Sequence, residues 1–253
     1  MIRLRDLEIR AGEAVLVRGA SLDVAPGELV ALVGASGSGK TMTARALLGL
    51  TRVEPGVTGG ELEVTLDSGV VRPFEQGFGG LYGTALGYLP QDARGGLDPL
   101  WTIGKLVAEC LELAGRPLEV EPWLRRAGFM RPVRVAGLYP HELSGGMAQR
   151  ASIACALARG ARFLVADEPT TGLDPTVQEA ILRELAGLAA EGIGVLLITH
   201  DLRVVRRHAH RVLVMHEGAI VESRSVDELE QLASAPARAL LEATARIAGG
   251  VLG

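Results

Sequence analysis

The pattern of apolar and polar positions divides the chain into three kinds of segment. Residues 1–30 and about 59–90 alternate apolar with polar residues between glycine turns, which predicts antiparallel strands. From about residue 92 to 157 apolar residues recur at helical spacing, with one clear helix predicted over 103–113. From residue 163 to 214, short apolar runs alternate with helical patterns, as expected for a sheet flanked by helices.

The last part of the chain predicts a hairpin and a tail. Residues 215–218 (MHEG) have the composition of a tight turn between two strands, 211–215 and 219–222. Helical patterns over 226–232 and 236–248 predict a short helical tail after the hairpin.

A glycine-rich loop stands between a predicted strand and a predicted helix. Residues 28–33 (ELVALV) are an apolar run, residues 34–41 (GASGSGKT) match G-x-x-x-x-G-K-[ST], and residues 42–50 have a helical pattern. Such a loop turns backbone N–H groups toward phosphate oxygens at a helix N-terminus. Lys40 is then expected at the β- and γ-phosphates and the Thr41 hydroxyl at Mg²⁺. A Gly/Ser-rich turn could match by chance, but the order strand, loop, helix disfavours that interpretation.

A second helix N-terminus has the same physical character. Ser144 is a plausible N-cap for a helix over about 146–158 that follows two glycines. The first turn of that helix has no Asp or Glu, although a carboxylate there would normally be favourable. An ordinary Ser-capped helix after a glycine turn is the alternative. Since one ATP needs one phosphate loop, a second anion site predicts a nucleotide shared between two subunits.

Two carboxylates follow a buried strand. Residues 162–168 (RFLVADE) read as an apolar strand that ends in Asp167 and Glu168. Ligands gather at the carboxyl ends of strands in doubly wound sheets. We therefore expect Asp167 to hold Mg²⁺, directly or through water, and Glu168 to orient or deprotonate the attacking water. A helix-capping role for the pair is the alternative, but it does not explain why the pair follows both anion sites.

Charge argues against a nucleic-acid partner. The chain of 253 residues has a net charge of −4 and a pI near 5.8, and its only lysines are Lys40 and Lys105. The one basic cluster, residues 203–211, has helical spacing and is expected to be a solvated or subunit-facing side of a helix.

Cysteine use and hydropathy indicate the compartment. Cys110 and Cys155 lie in apolar helical contexts, which predicts buried free thiols rather than a disulfide or a Cys/His metal site. Residues 1–10 are charged throughout, without the apolar centre of a signal peptide, and no apolar run reaches the roughly 18 residues of a membrane helix. We expect a cytoplasmic protein that reaches a membrane through its partners.

Six motifs together resemble those of the ATPase subunits of ABC transporters, and they occur in the order of that family. They are Walker A at residues 34–41, the Q-loop glutamine Gln91 within residues 88–91 (YLPQ), the signature at 143–147 (LSGGM), Walker B with its glutamate at 163–168, the D-loop at 171–174 (TGLD), and the switch histidine His200.

The resemblance implies binding of ATP and Mg²⁺ and assigns roles to residues of this chain. The catalytic set is Glu168, His200, Gln91 and Lys40. The nucleotide-binding set is Gly34, Ser36, Gly37, Ser38, Gly39, Lys40, Thr41, Thr43, Ser144, Gly145, Gly146 and Asp174. The metal-binding set is Thr41, Gln91 and Asp167.

The same resemblance implies an α/β fold with a RecA-like P-loop core, an antiparallel β subdomain and an inserted helical subdomain. One domain would cover residues 1–253. Its core and β subdomain would occupy about 1–91 and 158–222, its helical subdomain with the signature about 92–157, and its tail 223–253.

Longer matches narrow the resemblance to the peptide/nickel importer branch. They lie at 139–150, 166–178, 198–202 and 218–222, and the segment 48–61 is similar to the shorter ATPase of nickel or metallophore importers. This implies two permease subunits, a second, different ATPase subunit, and indirectly an external solute-binding protein, at the cytoplasmic face of the membrane. The cargo expected first is nickel or a metallophore complex, and peptides come second. Some members carry a cysteine-rich C-terminal extension, which this sequence does not show.

Two other classes stay open as alternatives. An ABC ATPase without a transport role, such as a phosphonate-breakdown accessory protein, would have similar motifs. A general P-loop kinase or GTPase would leave the signature and His200 unexplained.

One position departs from the family pattern. The family places an aromatic ring upstream of Walker A to stack on adenine, but Ala11 stands there, among non-aromatic neighbours. Base stacking is therefore expected to be weaker or to come from another residue. Trp101 has two equally weighted interpretations, a contact with a permease or packing within the helical subdomain.

Overall fold

The computed structural model describes residues 1–249, with side chains described up to residue 244. Its strands are β1 (Ile2–Ala11), β2 (Ala14–Val24), β3 (Leu29–Val33), β4 (Pro55–Leu66), β5 (Gly69–Val71), β6 (Leu86–Leu89), β7 (Phe163–Asp167), β8 (Gly194–Ile198), β9 (Arg211–His216) and β10 (Ala219–Ser225). Its helices are α1 (Lys40–Leu47), α2 (Pro73–Gln76), α3 (Ile103–Leu113), α4 (Val120–Arg126), α5 (Pro132–Ala136), α6 (Gly145–Arg159), α7 (Pro175–Ala190), α8 (Leu202–His208) and α9 (Ala235–Gly249), with 3₁₀ turns at Pro140–Glu142 and Val226–Gln231.

The first sheet is antiparallel and has the strand order β2-β1-β4-β5. Its strands alternate buried and exposed residues because one face packs on the interior and the other faces solvent. The buried face includes Leu4, Ile9 and Leu62, which belong to one apolar cluster with α1. The antiparallel strands predicted near the N-terminus are thus confirmed.

The second sheet has the order β10-β9-β3-β8-β7-β6, and its pairs from β9 through β6 are parallel. Every residue of β3, β7 and β8 is buried, as expected for parallel strands covered on both faces. These strands run in one direction, so their carboxyl ends meet at one edge. The phosphate loop follows β3, Asp167 ends β7, His200 follows β8 and Gln91 follows β6 at that edge.

The helices α3 to α6 form a separate helical layer. In the chain they come between strands β6 and β7 of the second sheet. They share a core with the sheet through residues such as Leu106, Leu124 and Ile153. An ion pair of 2.7 Å between Arg150 and Glu184 ties α6 to α7. Trp101 is half-buried against this core, with the Lys105 ammonium 4.0 Å from its ring centre. The side chain therefore packs within the helical layer, and this packing leaves a permease contact open.

Local predictions agree closely with the structure where the signal is strong. The helix predicted over 103–113 and the hairpin after residue 215 are confirmed. The helix after the phosphate loop ends at Leu47, earlier than predicted, because Gly49 adopts a left-handed φ of 70°. The tail has a 3₁₀ turn where a helix was expected, and residues 250–253 lie outside the described residues.

The cysteine prediction needs a correction. Cys110 and Cys155 are free, but both are only partly buried rather than fully enclosed. They line one cavity of about 840 Å³ between the helical layer and the core, where α3 packs on α6.

The basic cluster of residues 203–211 is largely neutralised by acidic partners. Ion pairs join Arg203 to Asp201, Arg206 to Glu230 and Arg207 to Glu179. No helix of residues 1–249 combines the length and the apolar character needed to cross a bilayer.

Candidate nucleotide-binding and hydrolysis site

The phosphate loop has a geometry that only glycines allow. Gly37 and Gly39 have φ values of 78° and 105°, in the left-handed region. A Cβ at Gly34 would lie 2.2 Å from the Met215 carbonyl oxygen. Helix α1 has neither a side-chain cap nor an acidic residue in its first turn, so its first N–H groups are available to an anion.

Lys40 lies inside this loop with its ammonium held by backbone oxygens. Its Nζ donates to the carbonyls of Gly34 and Ala35 at 2.9 and 2.8 Å. Burial lowers the pKa of Lys40, and the nearby charges of Glu168 and Asp167 oppose that shift. The lysine is thus positioned to exchange carbonyl partners for phosphate oxygens.

Asp167 and Thr41 form a site with hard oxygen ligands. The Thr41 hydroxyl donates to Asp167 Oδ1 and the Tyr88 hydroxyl donates to Asp167 Oδ2, both at 3.2 Å. Burial raises the pKa of Asp167, which is only 5% exposed and has no ion pair among the described residues. A buried carboxylate with neutral partners and a neighbouring hydroxyl fits Mg²⁺, which prefers such oxygen ligands.

Glu168 is oriented by three neighbours. Its backbone has a left-handed φ of 47°, and its N–H donates to the Ile198 carbonyl at 3.1 Å. Thr171 donates its hydroxyl to Glu168 Oε2 at 3.0 Å, and Nδ1 of His200 lies 3.7 Å from Glu168 Oε1. The structure therefore brings the predicted general base and the predicted switch histidine together, beside Lys40.

The signature segment begins helix α6, whose N-terminus is the second predicted anion site. Ser144 is the N-cap and accepts from the Met147 N–H at 3.3 Å, and the first turn has no acidic residue. A Cβ at Gly146 would lie 2.2 Å from Val177 Cγ1, and one at Gly145 would lie 2.6 Å from Leu173 Cδ2. The two glycines therefore let α6 pack tightly on the D-loop and α7.

The two anion sites of one chain open into different cavities. The phosphate loop and Glu168 line a cavity of about 760 Å³ whose lining includes no signature residue. Gly145 and the D-loop residue Leu173 line another of about 220 Å³. Gln91 is exposed and lines both.

Two predicted nucleotide ligands have other roles in the structure. Asp174 is the N-cap of α7 and accepts from the Thr176 and Val177 N–H groups at 3.1 Å. Thr43 is fully buried and donates its hydroxyl to the Gly39 carbonyl at 3.1 Å, so its side chain supports the loop from behind and does not reach the cavity.

Sequence reasoning missed several supporting residues. Tyr88 and Thr171 hold the two carboxylates, as described above. Gln149 is buried and donates to the Pro90 carbonyl at 3.0 Å, and Arg94 donates to the Leu143 carbonyl, so the Q-loop is tied to the signature helix. A polar residue on the apolar side of α6 was the available signal for Gln149. Tyr88 and Thr171 lie within the Q-loop and D-loop motifs, but nothing local indicates their contacts with the carboxylates, and no local signal marks Arg94.

Comparison with known proteins identifies the class. Residues 17–171, more than half of the chain, match the family model described as ABC transporter. A dimeric post-hydrolysis structure of the ATP-binding cassette MJ0796, bound to ADP and Pi, superimposes with a TM-score of 0.73 at 26% identity, covering 89% of this chain and 99% of that one. The chain belongs to the ABC transporter family and has the RecA-like α/β fold of the ATP-binding cassettes of that family.

Curated relatives carry transport names. The oligopeptide transport ATP-binding protein OppD of Mycobacterium tuberculosis is 42% identical over 227 residues, which cover 84% of this chain and 36% of OppD. The probable peptide ABC transporter ATP-binding protein y4tR of Sinorhizobium fredii is 38% identical over 240 residues, which cover 90% of this chain and 72% of that protein. The aligned part thus spans about a third of OppD and most of y4tR.

The carboxylate site generates a prediction about metal dependence. In Asp167→Asn, Mg²⁺ should no longer tighten ATP binding, because the buried charge that balances the cation is lost. We expect the MgATP affinity to fall roughly ten- to a hundredfold, as for a hydrogen bond to a charged group. Calorimetric titration with and without EDTA measures this. The exposed control Asp227→Asn should bind as the unmodified chain, and an undiminished Mg²⁺ effect in Asp167→Asn would contradict the assignment.

Proposed function

We propose that this chain is the ATP-hydrolysing subunit of an ABC importer and that its preferred cargo is peptides. The observation that carries the proposal is the separation of the two anion sites. The phosphate loop and the signature of one chain line different cavities, so one chain cannot close both around one nucleotide. A second ATPase subunit, placed head to tail, would supply the missing signature to each phosphate loop.

The side chains at the sheet edge would divide the chemistry between them. The N-terminus of α1 and Lys40 hold the phosphates, and the Ser144–Gly146 turn of the facing subunit completes the electrostatic cage around the γ-phosphate. Glu168 orients the attacking water and accepts its proton, while His200 lies beside Glu168. Thr41 and Asp167, with Gln91, would hold Mg²⁺, which neutralises charge on the phosphate oxygens.

Movement would pass from the nucleotide to the helical layer through the Q-loop. Gln91 lies in both cavities, and Arg94 and Gln149 connect its segment to the signature helix. Closure of the ATP site would therefore shift α6 together with residues 91–101, the region that we assign to permease contact. The proposed location is the cytoplasmic face of the membrane, through two permease subunits, with an external binding protein delivering cargo.

Peptides replace nickel as the favoured cargo. The relatives described above are named for oligopeptide and peptide transport, which supports a peptide importer. Nickel or a metallophore complex stays a second hypothesis, motivated by the sequence resemblance of residues 48–61. A non-transport ABC ATPase is not favoured by these names.

The proposed hydrolysis mechanism can be tested at Glu168. Glu168→Gln should keep ATP binding but lower turnover by at least about a hundredfold, because the amide cannot accept the proton from water. Steady-state ATPase of the assembled transporter gives the turnover. Glu75→Gln, an exposed carboxylate on α2, is the matched control. Turnover near the control value in Glu168→Gln would refute the role of Glu168.

The proposed assembly predicts how oligomeric state depends on the partner. The isolated Glu168→Gln chain should remain mainly monomeric with MgATP and should form a dimer when the second ATPase subunit is added, since we expect a heterodimeric importer. Light scattering distinguishes these states. A stable and fully active homodimer without permeases would count against a heterodimeric partner.

The cargo proposal is tested by transport in cells. A deletion strain should lose uptake of labelled di- and oligopeptides, and the unmodified gene, but not the Glu168→Gln form, should restore it. Uptake of radiolabelled nickel is measured in the same strains. Loss of nickel uptake with peptide uptake intact would reverse the order of the two cargoes, and loss of neither would favour a non-transport ATPase.

A further inference from the structure

The missing adenine-stacking ring leaves the question of which residue covers the base. Ala11 ends β1 and pairs with Ala14 and Pro55, and it is not among the residues that line the phosphate-loop cavity. None of the residues lining that cavity is aromatic. The base contact must therefore come from a different type of side chain.

The cavity has a wall beside the phosphate loop that is suited to the rest of the nucleotide. Besides the loop residues, Met42, Gln91 and Glu168, its lining consists of Val15, Leu16 and Arg18 of β2 and the turn residues Glu217 and Gly218. Gln91 and Glu168 lie at the γ-phosphate and metal end. A nucleotide with its phosphates in the loop would therefore have its base against β2 and the β9–β10 turn.

Backbone hydrogen bonds hold that wall at a fixed distance from the loop. The Gly218 N–H donates to the Ser38 carbonyl at 3.0 Å, and the Arg18 N–H donates to the Gly218 carbonyl at 2.8 Å. The turn requires a glycine at position 218, because φ there is 84° and a Cβ added to Gly218 would lie 2.9 Å from the Leu16 carbonyl oxygen. Arg18 is thus connected to the phosphate loop through only two hydrogen bonds.

The Arg18 side chain is free to contact a ligand. It is exposed, and no hydrogen bond or ion pair of its guanidinium occurs within the part of the chain that the structure describes. Many other arginines of the chain, by contrast, pair with carboxylates, as Arg203 and Arg211 do. Of the three wall residues from β2, Arg18 alone ends in a planar group.

A guanidinium can do the work of the missing ring. It is planar, delocalised and weakly hydrated, and it stacks on aromatic faces. Its charge is also attracted to the electron-rich face of a purine, as in cation–π contacts. Val15 and Leu16 offer apolar contact but no flat surface of this kind.

We infer that Arg18 is the base-stacking residue of this ATPase and covers the purine in place of the aromatic ring absent at position 11. The inference rests on the membership of the chain in the ATPase family and not on the transport proposal. Stacking on either purine predicts weak discrimination between ATP and GTP. It also predicts that Arg18 contributes to the affinity for ATP and GTP but not to the affinity for inorganic triphosphate, which has no base.

Calorimetric titration of the full chain with ATP, GTP and inorganic triphosphate tests this inference. Arg18→Ala should raise the Kd for ATP and for GTP roughly tenfold, a value within the range for one stacked base. The Kd for inorganic triphosphate should stay unchanged. Arg5→Ala, which removes another exposed arginine that is not on the cavity wall, should leave all three values unchanged.

A conservative variant separates stacking from charge. Arg18→Lys keeps the positive charge but loses the planar group, so its Kd for ATP should be close to that of Arg18→Ala. Retention of affinity in Arg18→Lys, or an equal loss of triphosphate affinity in Arg18→Ala, would show a phosphate contact and overturn the inference. An unchanged ATP affinity in Arg18→Ala would overturn it as well. Circular dichroism confirms that each variant is folded, as expected for an exposed side chain.

Discussion

Three neighbouring parallel strands, buried on both faces, fix the relative positions of the main groups of the hydrolysis site. β3, β8 and β7 pair in fixed register, with Leu32 opposite Ile198 and Asp167 opposite the same residue on the other side. Because burial of whole strands leaves no freedom to slip by one residue, the phosphate loop, His200 and the two carboxylates are held at one edge. A shift of register would turn Asp167 away from Thr41 and separate Glu168 from His200.

The site depends equally on the backbone N–H groups at two helix N-termini. The N-termini of α1 and α6 both lack acidic residues in their first turns, and each therefore presents partial positive charge to an incoming phosphate. They lie on the same chain but open into different cavities. This separation gives a physical reason for cooperation between two subunits, since each subunit would carry one half of two complete sites.

Support for the reacting groups comes from residues to which the motifs assign no catalytic or ligand-binding role. Tyr88 and Thr171 hold the carboxylates, and Gln149 and Arg94 connect the Q-loop with the signature helix. At this junction the side-chain oxygen of Gln149 is buried and has no hydrogen-bond partner among the described residues. The junction lies where the Q-loop, the D-loop and the signature meet, so a displacement of any one of them reaches the others.

The sequence by itself determined the local chemistry: the glycine loop between a strand and a helix, the capped start of α6, the paired carboxylates and the hairpin after residue 215. These depend on backbone preferences and on patterns a few residues long. Tertiary structure alone decided that Thr43 faces away from the phosphate-loop cavity, that Cys110 and Cys155 line a second cavity together, and that Arg18 lies on the wall beside the phosphate loop. Those relations join residues far apart in the chain, so they follow from strand order and helix packing, which short-range patterns do not encode.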